Sequence, residues 1–232
     1  MSDQLKKVSG IKHLPLFPLP LVLLPNELLP LHIFEPRYRQ MLKDVALDKN
    51  MFGLTFFNPQ ESFIEKPAPG TVGCAAEVRE VQSLPDGRSN IVTMGVARYQ
   101  LIEYVDAGEP YLVGDVEFFE DDAEDADVLN PLAAEVQTLF RRVALAAHKL
   151  SGERGAFPEI HQTDAQSLSF LVTTAFNLEP ELKYQLLETR STAERLNRLL
   201  DILKQTVGKM EDSAEIHKIA KTNGHSKKKL DI

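Results

Sequence analysis

The sequence predicts an α+β protein, a β-rich first half followed by a C-terminal helical bundle. Three observations carry that expectation. Prolines and short apolar stretches separated by turn residues occupy the chain to about residue 120. Asp115 to Asp127 then holds eight acids and no base. Beyond that run the apolar residues recur every three or four positions, the period of an α-helix. The boundaries expected are a β-rich subdomain at 1–120, a helical subdomain at 121–210 and a basic, disordered tail at 211–232.

The elements follow in order. Leu14 to Leu24 is extended, because each of its prolines pushes the preceding residue towards β or polyproline geometry. Proline cannot donate to a ladder, so this run belongs at a sheet edge or weaving between short strands. Pro30 to Tyr38 reads as a loop leading into a helix, with Pro36 in the first turn, where a missing N–H is harmless. Tyr38, Met41, Leu42 and Val45 form that helix's apolar stripe. Met51 to Phe57, Val72 to Val81, Ile91 to Val96, Tyr99 to Tyr104 and Tyr111 to Phe119 read as strands. Leu84-Pro85-Asp86-Gly87 supplies a hairpin turn, its glycine free to take positive φ.

The acidic run reads as a strand end passing into a repelling, solvated linker. Helices are expected from Pro131 to Leu150, around Leu168 to Ala175 with Thr163 or Asp164 as N-cap, and from Pro180 to Leu187, with a loop at Ser151 to Pro158. Ser191-Thr192-Ala193-Glu194 has the form of a capping box. The helix it opens turns Leu196, Leu199, Leu200, Leu203 and Val207 inward, and the pattern weakens after Met210.

A chain of 232 residues buries roughly 70% of its unfolded surface, enough for a core without covalent staples. It has 34 acids against 26 bases, a net charge of −8, which argues against a nucleic-acid partner. Lys43, Arg88 and Arg98 are scattered rather than grouped. Prolines interrupt the apolar run near the N-terminus, so it is a poor export signal, and no stretch approaches the ~20 apolar residues of a membrane span. With Cys74 as the lone cysteine, an internal disulfide, a multi-cysteine zinc site and a CxxC motif are excluded, and a reducing, cytoplasmic setting is expected.

Searches for chemistry return little. There is no phosphate-binding GxxxxGK[ST] loop, no GxSxG elbow and no HExxH helix. No two of the six histidines stand four apart on a helix. Cys74 lies in an apolar strand and reads as a small hydrophobe, and Asp86 reads as a turn former. The acidic run lacks the spacing and glycine of an EF-hand. No catalytic residue, cofactor or metal is expected.

Leu14-Pro15-Leu16-Phe17-Pro18-Leu19, with Leu28-Leu29-Pro30-Leu31-His32-Ile33-Phe34-Glu35-Pro36-Arg37-Tyr38 after it, resembles the opening signature of the LON substrate-binding domain, the N-terminal domain of Lon proteases. Gly70-Thr71-Val72-Gly73, Leu84 to Arg88, Gly95-Val96-Ala97-Arg98 and Gln185-Leu186-Leu187-Glu188 resemble further family motifs in the same order, so the likeness spans about residues 11 to 210. The resemblance implies a PUA-like pseudo-barrel followed by helices. It also implies a role in recognising protein substrates, while the ATPase and Ser–Lys protease modules of Lon are not found in this sequence.

The function expected is therefore a non-catalytic module that binds unfolded or extended polypeptide, with a protease or chaperone in trans as a candidate partner and neither nucleic acid nor membrane. The peptide would add to a sheet edge or lie in an apolar groove. Phe34, Glu35, Arg37 and Tyr38 are the candidate binding residues, combining aromatic area with charged handles. The competing reading is that Phe34 and Tyr38 pin the loop to the barrel while Glu35 and Arg37 fix the turn. The alternative function is a small-molecule or enzymatic role in a groove between subdomains.

Overall fold

The structure, a computed structural model, describes residues 3–59, 66–151 and 163–223. The elements run α1 (Asp3–Lys7), β1 (His13–Leu19), β2 (Leu28–Ile33), α2 (Pro36–Ala46), β3 (Met51–Phe56), β4 (Val72–Ser83), β5 (Ser89–Val105), β6 (Leu112–Phe119), α3 (Ala126–Ser151), α4 (Ala165–Ala175), α5 (Pro180–Glu188) and α6 (Thr192–Asn223). They divide into two compact units, Met1–Ala123 with Gln166–Thr192, and Glu124–Ala165 with Ala193–Ile232.

The first unit is one sheet of order β2-β5-β4-β3-β1-β6, and a further β5–β6 ladder closes five of these strands into a ring, compatible with the pseudo-barrel expected. The proline-rich β1 is not an edge strand, contrary to the first of the two placements expected. It pairs with β6 through His13–Leu16 and with β3 through Leu16–Leu19, so only Leu16 is paired on both sides. Each proline therefore meets one ladder, and weaving between partners is how the barrel accommodates them.

The two strands expected at Ile91–Val96 and Tyr99–Tyr104 are one continuous β5, because that strand serves two partners. Ser89–Met94 pairs with β2 and Arg98–Val105 with β6. Register shifts at Cys74/Ala76 and Val78/Glu80 of β4, and at Leu101/Glu103 of β5, mark bulges of the kind that bend and twist strands. Inside the ring the buried Tyr99 hydroxyl meets Thr55 Oγ1 at 2.7 Å. Glycines make the room for it: a Cβ on Gly73 would lie 2.4 Å from the Tyr99 hydroxyl oxygen, and one on Gly53 2.5 Å. On another side of the sheet, α2 seats Tyr38, Met41 and Val45 in a cluster with Phe17, Ile33 and Phe52.

Helices α4 and α5 belong to this unit as well, a division different from the linear one the sequence suggests. Phe170 of α4 and Leu187 of α5 are buried in a cluster with Val22, Leu24 and Val72. Arg98 on β5, 2% exposed, donates to the carbonyls of Leu187 at 2.9 Å and Thr189 at 2.7 Å and pairs with Asp121. Lys183 on α5 reaches Glu27 at 2.7 Å, and Glu27 also accepts the Leu24 N–H at 2.8 Å.

The acidic run is not a repelling linker. Asp121, its side chain 5% exposed, pairs with Arg98 and accepts the Thr192 hydroxyl. Asp125 accepts the Asp127 N–H at 2.9 Å where α3 begins, five residues before the expected Pro131 start. Carboxylates disperse in water unless the fold gives them donors, and these have donors.

In the second unit, Glu124 caps the Ala193 N–H of α6 at 3.0 Å, and Lys204 on α6 pairs with Glu135 on α3 at 2.9 Å. Val136 and Phe140 on α3, with Leu196, Leu199, Leu200 and Leu203 on α6, are buried as their period predicts. Helix α6 continues past Met210 to Asn223, where a disordered tail is expected. Its Glu, Ala and Lys residues there are good helix formers without an apolar stripe. The Lys227–Lys229 end of that tail and the interior of the expected 151–158 loop lie outside the described residues.

Candidate polypeptide-binding site

The segment from Pro30 to Tyr38 is not the loop expected. Pro30–Ile33 completes β2, Phe34 and Glu35 form the connection, and Pro36–Tyr38 is the first turn of α2. Helix geometry then separates the four candidate residues. Phe34 is 58% exposed and its ring stacks on His32 at 6.1 Å and 23°. Glu35 occupies the N-cap position with extended dihedrals, and its carboxylate accepts from Arg37 Nε at 2.9 Å rather than from a helix N–H. Arg37 lies with its guanidinium 4.5 Å from the Tyr38 ring centroid. Tyr38 is 3% exposed, its ring 4.0 Å from that of Phe17. So Tyr38 pins α2 to the barrel, as the competing reading has it, whereas Phe34 stays exposed; Arg37 and Glu35 are half-buried and pair with each other.

Next to this segment lies an outward sheet surface that the sequence reading does not anticipate. β2 shows its even-numbered residues to solvent: Leu28 is 63% exposed, and Pro30 and His32 are also exposed. Register places Met94, Val92 and Asn90 of β5 beside them. A groove of 410 Å³ is lined by Pro30, His32, Glu80, Gln82, Asn90 and Val92. Its far end is a polar row across three strands, His32 Nδ1 donating to Asn90 Oδ1 at 2.7 Å and Asn90 Nδ2 to Gln82 Oε1 at 3.3 Å. The signal that could have revealed the strand is Pro30 itself, since a proline within a β-like run marks an edge.

Elsewhere the chemistry is sparse. Cys74 is fully buried, and burial pushes its thiol up to about 12, which leaves it protonated and unreactive. Asp86 is held down to about 2 by Arg88, whose Nε it accepts at 2.6 Å, as suits a turn residue. A second groove of 520 Å³ runs between Tyr184 and Glu188 of α5 and Phe56, Lys66 and Thr71. The Tyr184 hydroxyl accepts the Val72 N–H at 3.1 Å and is pushed up by burial. Among the described residues no cluster of three or more His, Cys, Asp or Glu could hold a metal, and no helix is long and apolar enough to cross a membrane.

The fold is shared with solved Lon N-terminal domains. The solved Lon N-terminal domain protein of Xanthomonas campestris superposes with a TM-score of 0.60 at 22% identity, covering 82% of this chain and 98% of that one. The N-terminal domain of the Mycobacterium avium complex Lon protease gives 0.63 at 20% identity, covering 83% and 98%. Residues 13–205 match the family described as the ATP-dependent protease La (LON) substrate-binding domain, and the chain belongs to that family. Among full-length relatives, Lon protease 1 of Thermus thermophilus is 30% identical over 179 residues, 75% of this chain and 22% of its own length. Lon protease of Brevibacillus choshinensis is 26% identical over 199 residues, 84% of this chain and 25% of its own. The chain thus spans about a quarter or less of these curated relatives.

Proposed function

We propose that this chain is a non-catalytic module that binds extended polypeptide, and that the contact surface centres on Phe34 with Glu35 and Arg37 beside it. The observation that carries the reading is the exposure of Phe34. An aromatic ring left in water beside exposed His32, at the end of the row that Leu28 and Pro30 begin, adds nothing to the core, yet it is the kind of side chain that anchors interfaces. The family's description as a substrate-binding domain supports a polypeptide as the occupant. Tyr38 contributes from below, holding the helix that presents Arg37. A protease or chaperone acting in trans would receive what is captured.

The test uses reduced, carboxymethylated α-lactalbumin, an unfolded chain, as the probe. Phe34→Ser, Glu35→Ala and Arg37→Ala should melt close to the parent, because a surface pair such as the half-buried Glu35–Arg37 contributes only about 0–1 kcal/mol. Binding, on the order of micromolar for a partner that must be ordered, should weaken most in Phe34→Ser. Normal binding by all three variants would make the segment architectural.

A further inference from the structure

We propose that the polypeptide is held as an added strand on the free edge of β2, with its register set by Pro30; this rests on the polypeptide-binding reading above. The direction of the β2 backbone follows from two hydrogen bonds. Gly95 N–H donates to the Glu27 carbonyl at 2.9 Å, and the Thr93 hydroxyl donates to the Leu29 carbonyl at 3.0 Å. Glu27 and Leu29 therefore face β5, and by strand alternation so do Leu31 and Ile33. Leu28, Pro30 and His32 direct their backbone groups the other way. Among the described residues β2 has no second ladder, so those groups meet no strand.

The free edge thus offers three carbonyls but two N–H groups, because Pro30 has none. An antiparallel strand can exchange both bonds with Leu28 and with His32, and donate one N–H to the Pro30 carbonyl. A second copy of β2, paired about Pro30, would set proline against proline and make no bond at the centre. The edge therefore favours a different chain with an N–H at that position over another copy of itself. Its flanks are apolar on both sides. Leu28 and Pro30, with Val92 and Met94 in register, lie outward, while the half-buried Leu29 and Leu31 lie towards the core. An added strand is served best by apolar residues at consecutive rather than alternate positions, as in a strand buried on both faces.

The experiment changes the edge donors without touching the β2–β5 ladder. His32→Pro removes an outward N–H, and His32→Val removes the same side chain but keeps it; Pro30→Val restores the missing donor. The probe is again reduced, carboxymethylated α-lactalbumin, with thermal melts as the check on folding. We expect His32→Pro to bind about fivefold more weakly than His32→Val, the worth of one hydrogen bond. Pro30→Val should bind about fivefold more tightly and self-associate with rising concentration in sedimentation velocity. Equal binding by the two His32 variants together with an unchanged, monomeric Pro30→Val would overturn strand addition and leave polypeptide binding standing. Should His32→Pro unfold, Pro30→Val decides alone. No binding by the parent protein would overturn both readings together.

Discussion

Replacing Arg98 by methionine tests what holds α5 to the barrel. The side chain is 2% exposed and serves three acceptors, the carbonyls of Leu187 and Thr189 and the carboxylate of Asp121. Its guanidinium also lies 4.6 Å from the Phe119 ring centroid and 5.3 Å from that of Phe170. Methionine fills similar space but removes one donor from each of those acceptors, while Asp121 keeps the Thr192 hydroxyl. A buried acceptor left unsatisfied costs about 1–3 kcal/mol, and remaining partners, relaxation or entering water keep the sum from being additive. Breaking a buried pair from one side usually costs about 3–5 kcal/mol, and that is the loss expected for Arg98→Met. Asp121→Asn should cost less, since the amide oxygen still accepts from Arg98 or Thr192. Combining the two should recover about 1–3 kcal/mol of coupling. Urea unfolding followed by far-UV circular dichroism and tyrosine fluorescence measures this; with no tryptophan in the chain, tyrosines are the native fluorophores. A loss below about 1 kcal/mol for Arg98→Met, with an unchanged denaturant slope, would refute the view that this arginine anchors α5.

Two further outcomes follow from local geometry. Gly95→Ala would put a Cβ 2.0 Å from the Leu24 carbonyl oxygen, a backbone clash that no rotamer relieves, and should destabilise by about 1–3 kcal/mol or more in the same assay. The Cys74 thiol should resist Ellman's reagent until denaturant is added; rapid labelling of the folded protein would contradict its burial. Because burial raises the thiol from 9.0 to about 12, its contribution to stability is complete below pH 9 and lost as pH rises towards 12. Stability of the parent relative to Cys74→Ala should fall by about 1.4 kcal/mol per pH unit in that window. A pH-independent difference would count against it.

Elements with local signals are legible in the sequence; partnerships are not. The stripe of α2, the Asp86-Gly87 turn and the core period of α6 all follow from spacing within one element. What spacing omits is who pairs with whom. Arg98 meets acceptors 89 and 91 residues away, and nothing local announces that α4 and α5 will dock on the barrel. The same blindness makes Asp121 look like part of a solvated run, because a charge reads as exposed until its donor is known. β5 looks like two strands since its change of partner resembles a break. In the candidate site the sequence itself carries the conflict. The period that groups Tyr38 with Met41 and Val45 already assigns it to the core, so of the four residues only Phe34, Glu35 and Arg37 remain available to a partner.

Two free edges among the described residues of the barrel unit are finished differently, and the contrast bears on what β2 is for. Beyond Val78, whose N–H still reaches the Asn50 carbonyl at 2.9 Å, β4 has no strand partner on the β3 side among the described residues. That stretch carries Arg79 and Glu80 and a register shift at Val78/Glu80, followed by exposed Val81, Gln82 and Ser83. Charge and a bulge are the usual means of discouraging another strand. β2 has neither. Its exposed row is Leu28, Pro30 and His32, continued by Phe34, with no lysine or acid among them. If the edge needed only protection, the devices used on β4 would serve. A single proline removes one donor and spoils pairing between copies while leaving five of six backbone groups and an apolar border in place. An edge closed to its own kind but open to another strand is what the polypeptide binding proposed above requires.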